Sequence, residues 1–527
     1  MNKGETDKLV KGAFLLTLAG LISKILSAGY RIPLQNLTGD LGFYIYQQVY
    51  PLLGIAIVLA LYGFPSAISR SLVHLKSEGK EISLANFYWP VFLILLGING
   101  VLFLLIYCNA STIANWAGDI QLEKTYQNAA FLFLFIPFLA LLRGAFQGNN
   151  DMKPTAYSQV GEQLTRVFLI ILAAILVVLH DLDIYYIGEF AGIASIGGFL
   201  TAIFLLLFFF GRNKPSLGTR VETPWKHYFK TVFIFGIVAA LNHMILLVIQ
   251  FADAFTLVPN LLSHGLSKLD AMKDKGIFDR GQPLIQLGTV LGSSFALALI
   301  PNISKQNMEK NPAAFYRSIQ GALAFSFYLA AGATLGLIMI FPEVNVLLYE
   351  NDSGTKTLQI LVMSILLCSI VITATSILQG LGYMKRTAGF IVVAVLVKWI
   401  ANDTLVPLWG ITGSALATVF SLCVLGIAAV FELKRKLPKL EFFGNINWSA
   451  FLKASIGMIL YIIVMDYFFA SNALFSRIRL LIYVVFISIT GGVLYIILLL
   501  RCRAFSKEEL SMLPYPLFFI RLHKERK

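Results

Sequence analysis

"RGAFQGNNDMKPTAYSQVGEQLTRVFLIILAAILVVL", residues 143–179, carries two signals at once. From Thr155 onward it reads as a helix bound for a bilayer, yet Gln159, Glu162, Gln163 and Arg166 occupy its first half. Its leading segment, "FQGNNDMKPTA" at 146–156, returns as "LQGLGYMKRTA" at 378–388. Gln147, Gly148, Met152, Lys153, Thr155 and Ala156 fall on Gln379, Gly380, Met384, Lys385, Thr387 and Ala388, a constant shift of 232 residues. The same shift carries Pro51 of "QQVYP" to Pro283 of "DRGQP". An internal repeat at one register is a statement about architecture, so it is settled before function.

The composition supplies the solvent. The 527 residues are 57% hydrophobic and 13% charged, with a mean hydropathy of +0.77. A soluble domain carries roughly 25% charged residues. Apolar runs of about 20 residues recur from end to end, each long enough for a bilayer. A repeated series cannot be a signal peptide. In lipid each backbone group needs an internal partner, so the runs should be helices. Fourteen spans are expected, near 10–33, 44–69, 87–108, 126–146, 155–179, 184–211, 229–262, 280–301, 316–349, 356–380, 386–407, 410–433, 449–470 and 478–500.

The net charge of +14 does not point to nucleic acid, because the basic residues lie between apolar runs rather than on one face or tail. They are also unevenly divided. One side of the membrane receives 29 of the 42 lysines and arginines, the other 9, and 4 lie within spans. The positive-inside rule then places both termini in the cytoplasm of a multi-pass cell-membrane protein, as an even span count demands. The tail after Arg501, ending "RLHKERK", reads as a basic helix on the inner leaflet. Cys108, Cys368, Cys423 and Cys502 lack partners at ligand spacing, so neither a disulfide framework nor a metal site is expected.

Six spans precede the second copy of the repeat. Six is even, so the halves share one orientation and form a parallel repeat about an axis along the membrane normal. The expected organisation is an N-lobe, 1–215, a C-lobe, 216–436, and two added helices with the tail, 437–527. Two such lobes leave a cleft between them, the architecture of alternating access.

A charge at the centre of a span costs about 2.5–3.5 kcal/mol on insertion scales, so the buried charges mark partners or a hydrated cavity. Glu162 and Arg166 share a helix face. Gln159 and Gln163 widen that stripe. Two readings stay open: a self-neutralised pair pinning the fifth span, and a cavity wall meeting an anionic headgroup. Lys24, Arg31, Arg280 and Lys398 are unpaired within their own spans, with no carboxylate three or four residues away on the same helix face. Snorkelling competes with a cavity role, most for Arg31 and Arg280 and least for Lys398. Asp253 could hold a coupling cation, take a proton or pair with Lys398; Asn402 lies one turn beyond that lysine. If they pair, the ammonium stands where a transporter would otherwise bind sodium. His243 reads as a packed histidine. Gly63, Pro65 and Pro301 permit kinks. No Walker loop, GxSxG, HExxH or paired metal motif occurs. The chain therefore reads as a transporter, not an enzyme, with no cofactor and energy drawn from membrane potential, a sodium or proton gradient, or the substrate's own gradient.

"LLRGAFQGNNDMKPTAYSQVGEQLTRV" resembles the signature of the polysaccharide-export family of the MOP superfamily, the branch of the MurJ/MviN lipid II flippases and stage V sporulation protein B. "SKILSAGYRIPL", "FADAFTLVPNLL", "FDRGQPLIQL" and "SILQGLGYMK" agree with it. The resemblance implies an all-α membrane protein with a V-shaped bundle of two six-helix lobes plus two C-terminal helices that form a groove for a lipid tail. It implies a flippase for an undecaprenyl-pyrophosphate-linked cell-wall precursor, lipid II foremost, with membrane lipids and cell-wall synthesis enzymes as partners. The family's functional arginines match Arg31 and Arg280, and Lys24 stands where many relatives have arginine. Joined to the buried charges read above, this selects Lys24, Arg31, Arg166 and Arg280 as headgroup contacts, supported by Gln159 and Glu162, with Asp253, Lys398 and Asn402 as a switch. The family's arginine in the second span has no counterpart between Pro51 and Ser69. Rival readings are a flippase for teichoic-acid, capsule or spore-cortex precursors, a MATE-type cation or drug antiporter, and a non-transporting scaffold.

Overall fold

The computed structural model describes residues 3–79, 82–211, 225–299, 309, 311–441, 444, 446–469 and 476–510. Pro301 and the basic tail beyond 510 lie outside them. The described residues are helical and contain no strand. Eleven helical runs among them are long and apolar enough to cross a bilayer. The difference from fourteen has visible sources. Phe14–Ser77 covers the first two expected spans in one run of 64 residues, and Met384–Lys436 covers the eleventh and twelfth in 53. The eighth expected span begins as Gly281–Leu299 and continues into residues not described. The seventh and ninth are interrupted at Met244 and Ile340 but remain among the eleven through Ile245–Ser263 and Pro312–Met339.

The chain divides into two compact units. The first comprises 1–279 with 395–414, the second 280–394 with 415–527. The repeat lobes are a symmetry of sequence, whereas these units are a partition of packing, and the two need not coincide.

In the first unit the helices are α1 (Lys3–Gly29), α2 (Arg31–Val58), α3 (Phe64–Ser77), α4 (Trp89–Cys108), α5 (Ala110–Trp116), α6 (Glu123–Ala130), α7 (Leu132–Gly148), α8 (Lys153–Leu179), α9 (Tyr186–Phe210), α10 (Trp225–Lys230), α11 (Gly236–His243), α12 (Ile245–Ser263) and α13 (Lys268–Asp279). α2 breaks at Gly39, whose φ of 66° is a conformation that glycine adopts without a Cβ clash. A π-helical turn, Leu59–Gly63, joins α2 to α3. Gly63 serves close approach there: a Cβ would sit 2.8 Å from the Gly236 carbonyl of α11.

α8 shows how the sequence pattern becomes packing. Glu162, Arg166, Ile170, Ala174 and Val177 are buried, while Leu164, Phe168, Leu172, Ile175 and Leu179 are exposed. Both series follow helical spacing, so one face enters the protein and the other is a hydrocarbon surface suited to acyl chains. α8 packs against α1 and α9. At Gly198 of α9 a Cβ would lie 2.7 Å from the Glu162 carbonyl, so the two backbones run nearly in contact.

The second unit opens with α14 (Gly281–Leu299), then α15 (Pro312–Met339), α16 (Phe341–Tyr349), α17 (Thr355–Val362) and α18 (Ser364–Gly380). α19 (Met384–Lys436) contributes its two ends to this unit and its middle to the first, with a break at Trp409–Gly410. α20 (Trp448–Phe469), α21 (Arg477–Arg501) and α22 (Lys507–Leu510) follow. Asn311 caps α15, its Oδ1 accepting from Ala314 N at 3.2 Å, with Pro312 at the first helical position. α20 and α21 pack on each other and on α15 around Tyr328, Met458, Ile487 and Tyr495.

The repeat is realised in the backbone. α6 and α7 become α17 and α18 at a shift of 232, residue for residue at both ends. The turns that follow share their hydrogen bonds. Asn149 N, Asn150 N and Asp151 N donate to Ala145, Gln147 and Phe146; Leu381 N, Gly382 N and Tyr383 N donate to Ile377, Gln379 and Leu378. The left-handed residue of each cap is Asn150, φ 61°, and Gly382, φ 90°.

Candidate functional site

Of the nine residues expected at the site, eight belong to the first unit: Lys24, Arg31, Gln159, Glu162, Arg166, Asp253, Lys398 and Asn402. Arg280 belongs to the second.

Arg31 opens α2 directly after α1, inside one nearly continuous helical run rather than at a free span end. It is fully buried, so it does not snorkel. Its guanidinium lies 3.9 Å above the Tyr50 ring. No described atom meets Nε, Nη1 or Nη2 as a hydrogen-bond partner. Tyr30 and Tyr46 complete the aromatic surround; their hydroxyls bond to each other and their rings meet edge-on at 5.9 Å. The face of Tyr50 holds the cation electrostatically while leaving the donors in the guanidinium plane unsatisfied.

Glu162 is shared between two arginines. Arg143 Nη2 donates to Oε2 at 2.8 Å, and Arg166 Nη2 pairs with Oε1. Arg143 also donates from Nε to Ser158 at 3.2 Å and from Nη1 toward the Ala60 carbonyl at 3.4 Å. Arg166 Nη1 donates to Gln163 Oε1 at 3.0 Å, while its Nε has no partner among the described residues. Two guanidiniums against one carboxylate leave the cluster at +1. Arg143 was not among the expected site residues. The signal for it was the hairpin: reflecting α7 onto α8 about the 149–152 turn puts residue 143 opposite Ser158, one helical turn before Glu162.

A more open region adjoins this cluster. The π-helical turn presents Tyr62, whose hydroxyl accepts from Gln159 Nε2 at 3.5 Å and whose ring stacks on His243 at 4.5 Å. Lys24 is exposed and within electrostatic reach of His243, also exposed. His243 is therefore a stacked histidine beside a cation.

Asp253 and Lys398 do pair. Lys398 Nζ lies 2.7 Å from Asp253 Oδ1 and donates to the Ser414 carbonyl at 2.8 Å and the Ser414 hydroxyl at 3.0 Å. Asn402 Nδ2 donates to the same Asp253 oxygen at 2.8 Å and to Thr256 Oγ1 at 2.7 Å. Lysine, asparagine and aspartate are all buried. Nearby, Lys275 pairs with Asp279 in α13, outside the candidate spans. Burial pushes the Asp279 carboxyl up to about 6, against the pull of Lys275.

In the second unit Arg280 is likewise fully buried. Its Nη1 donates to Asn351 Oδ1 at 2.7 Å, and the guanidinium stands 5.2 Å from the Tyr349 ring. The Tyr349 hydroxyl donates back to the Arg280 carbonyl at 2.7 Å. An apolar cavity of about 220 Å³ in this unit is lined by Ala331, Leu335, Ile338, Met363, Leu366 and Phe451 among others. Among the described residues no cluster of histidine, cysteine, aspartate and glutamate could hold a metal ion.

The chain is 38% identical to the membrane protein YabM of Bacillus subtilis (strain 168) over 512 residues, covering 96% of this chain and 94% of that one. It is 24% identical to the lipid II flippase MurJ of the same organism, over 78% of this chain and 80% of that one. Stage V sporulation protein B is 23% identical over 81% and 84%. The fold matches a structure of lipid II flippase MurJ in an inward closed conformation, with a TM-score of 0.67 at 18% identity, covering 92% of this chain and 98% of that one. It also matches an inward-facing MATE transporter of the MOP superfamily, with a TM-score of 0.58 at 15% identity over 81% and 95%. A family model described as polysaccharide biosynthesis protein matches residues 9–307. With more than half of its length inside that model and a relative spanning nearly all of it, this multi-pass helical membrane protein belongs to the polysaccharide biosynthesis protein family.

Proposed function

We propose that the chain is a flippase that moves an undecaprenyl-pyrophosphate-linked cell-wall precursor, lipid II foremost, from the inner to the outer leaflet by alternating access. Family membership and the likeness to MurJ and stage V sporulation protein B support the transport class. The observation that carries the headgroup assignment is Arg31, a buried guanidinium whose three nitrogens find no hydrogen-bond acceptor among the described residues. A planar guanidinium donates bidentately to phosphate oxygens, and a pyrophosphate would satisfy it as the surrounding aromatics cannot. Lys24 and Arg166 are the further contacts in the first unit, with Gln159 and Glu162 orienting Arg166; Arg280 is a separate buried cation of the second unit on which transport also depends. The prenyl chain stays in lipid, with the apolar surfaces of α20 and α21 as its track. Both termini lie in the cytoplasm on the charge asymmetry of the loops. Movement draws on membrane potential, the substrate gradient, or a sodium or proton gradient.

The chemistry of the carboxylates disfavours the MATE-type reading. A cationic drug needs a free anion in the cavity, but Glu162 is taken by two arginines and Asp253 by Lys398. A flippase for another lipid-linked polysaccharide uses the same pyrophosphate logic and is separated by headgroup alone. The deciding experiment is complementation of a strain depleted of its lipid II flippase, read by outer-leaflet accessibility of the lipid. The wild type should restore it, and Arg31→Ala should not, at equal membrane abundance. Restoration by Arg31→Ala equal to wild type removes Arg31 from the headgroup site, and failure of the wild type redirects the reading to another lipid-linked sugar.

A further inference from the structure

The repeat sets Arg166 and Lys398 on equivalent positions, since 166 plus the shift of 232 is 398. Their charges are balanced differently. Arg166 finds Glu162 on its own helix, four residues earlier. The equivalent position before Lys398 is Ala394, so the lysine has no such neighbour. Its counter-ion is Asp253 from α12, and the ammonium is further received by a backbone carbonyl and a hydroxyl of Ser414.

Those three oxygens are hard ligands at 2.7, 2.8 and 3.0 Å from one nitrogen. Carboxylate, carbonyl and hydroxyl oxygens are the set that coordinates a desolvated alkali cation, and an ammonium is close to a potassium ion in size. The cage has acceptor capacity to spare. Asp253 Oδ2 and Asn402 Oδ1 are both buried, and neither has a hydrogen-bond partner among the described residues. The Ser414 hydroxyl donates to Asp253 Oδ1 at 2.9 Å, and Asn402 bridges Asp253 to Thr256, so the ligands are fixed by one another. Lys398 Nζ is also 5.8 Å from the Phe278 ring. All of these residues lie within the first unit.

We propose that this cage is a monovalent-cation site whose resident cation is the chain's own Lys398 ammonium, so the protein takes up no alkali cation there and acquires an alkali-cation site when the lysine is shortened. A tethered cation is present at every external salt concentration, and its loss of freedom is settled when the chain folds. Shortening the side chain leaves Asp253 as an uncompensated buried charge beside open space and fixed oxygens. Such a charge is strongly unfavourable unless a cation replaces the one removed. The inference concerns cation binding and does not rest on the transported substrate.

The test uses the full chain in detergent or nanodiscs, as wild type, Lys398→Ala, Lys398→Ser and the double variant Lys398→Ala with Asp253→Asn. Radiolabelled sodium and rubidium binding is measured directly. Unfolding midpoints are compared in sodium, potassium and choline chloride at constant ionic strength. The expected wild-type result is no saturable binding and one midpoint in all three salts. Lys398→Ala or Lys398→Ser should bind sodium or rubidium saturably, near one equivalent per chain, with a midpoint raised by that salt over choline. The double variant should lose both effects. Saturable wild-type binding that the double variant lacks would overturn the proposal. So would folded Lys398 variants that bind neither ion, or variants that fail to fold in every salt, since an alkali cation then does not replace the ammonium.

Discussion

Glu162→Gln separates charge from volume at the centre of α8. The carboxylate is buried between Arg143 and Arg166, which are exposed by only 0% and 5%. The amide keeps the shape but offers one acceptor where two guanidiniums need one each, and turns its NH₂ toward the other. Removing one partner of a buried ion pair costs about 3–5 kcal/mol, chiefly because the remaining charge is stranded. Here one substitution strands two, so the cost should reach the top of that range. Arg143→Met or Arg166→Met should each cost less, about 1–3 kcal/mol, because Glu162 keeps a partner in either case. The triple variant Arg143→Met, Glu162→Gln, Arg166→Met should recover part of the loss of Glu162→Gln alone, since nothing charged is then left unpaired. Reversible unfolding in mixed micelles, followed by fluorescence, gives the four free energies and their couplings. Couplings within such a network usually run at about 0.5–3 kcal/mol. A Glu162→Gln protein within about 0.5 kcal/mol of wild type, or a triple variant less stable than Glu162→Gln, refutes the claim that this carboxylate neutralises the cluster.

Three further outcomes are expected. Arg280→Ala should abolish export in the complementation assay while membrane insertion, read by abundance and protease pattern, stays intact; normal export would show that transport does not depend on Arg280. At the repeated cap, Gly382→Ala should cost about 1 kcal/mol because φ of 90° is strained for a side chain, whereas Asn150→Gly should change stability by only a few tenths; equal effects in chemical denaturation would show that left-handed backbone strain does not set the cost. Asp279 titrates at about 6, above its ordinary value near 3.9, so the fold favours its protonated form. Its contribution to stability is complete below about pH 4 and is lost as pH rises through 6. Asp279→Asn should flatten the stability profile across that window, and an unchanged slope would assign it to another group.

Much of the site was legible along the chain because membranes make buried charge rare and therefore conspicuous. Arg31, Arg166, Arg280, Lys398 and Asp253 announce themselves by standing in apolar runs. The 232-residue shift located a helical hairpin and its turn correctly in both copies, because a left-handed cap residue and its flanking hydrogen bonds demand a local sequence. Arg143 escaped notice since it lies near the end of its span, where a cation ordinarily reaches headgroups. Only the register of α7 against α8 turns it inward to Glu162.

The sequence by itself determined the solvent, the helical class, the repeat and the candidate charges, since each follows from hydropathy, period and spacing. Tertiary structure alone decided which charges cancel. Glu162 was within reach of Arg166 on one helix, yet a second arginine claims it from α7. Asp253 and Lys398 are 145 positions apart, and no local rule connects them. The physical reason is that in a low-dielectric interior a charge's partner is fixed by contacts of a few ångströms, and those are set by how helices cross. The same packing leaves the Arg31 guanidinium without a hydrogen-bond partner among the described residues, a property invisible in the residue's name and decided by the three tyrosines that surround it.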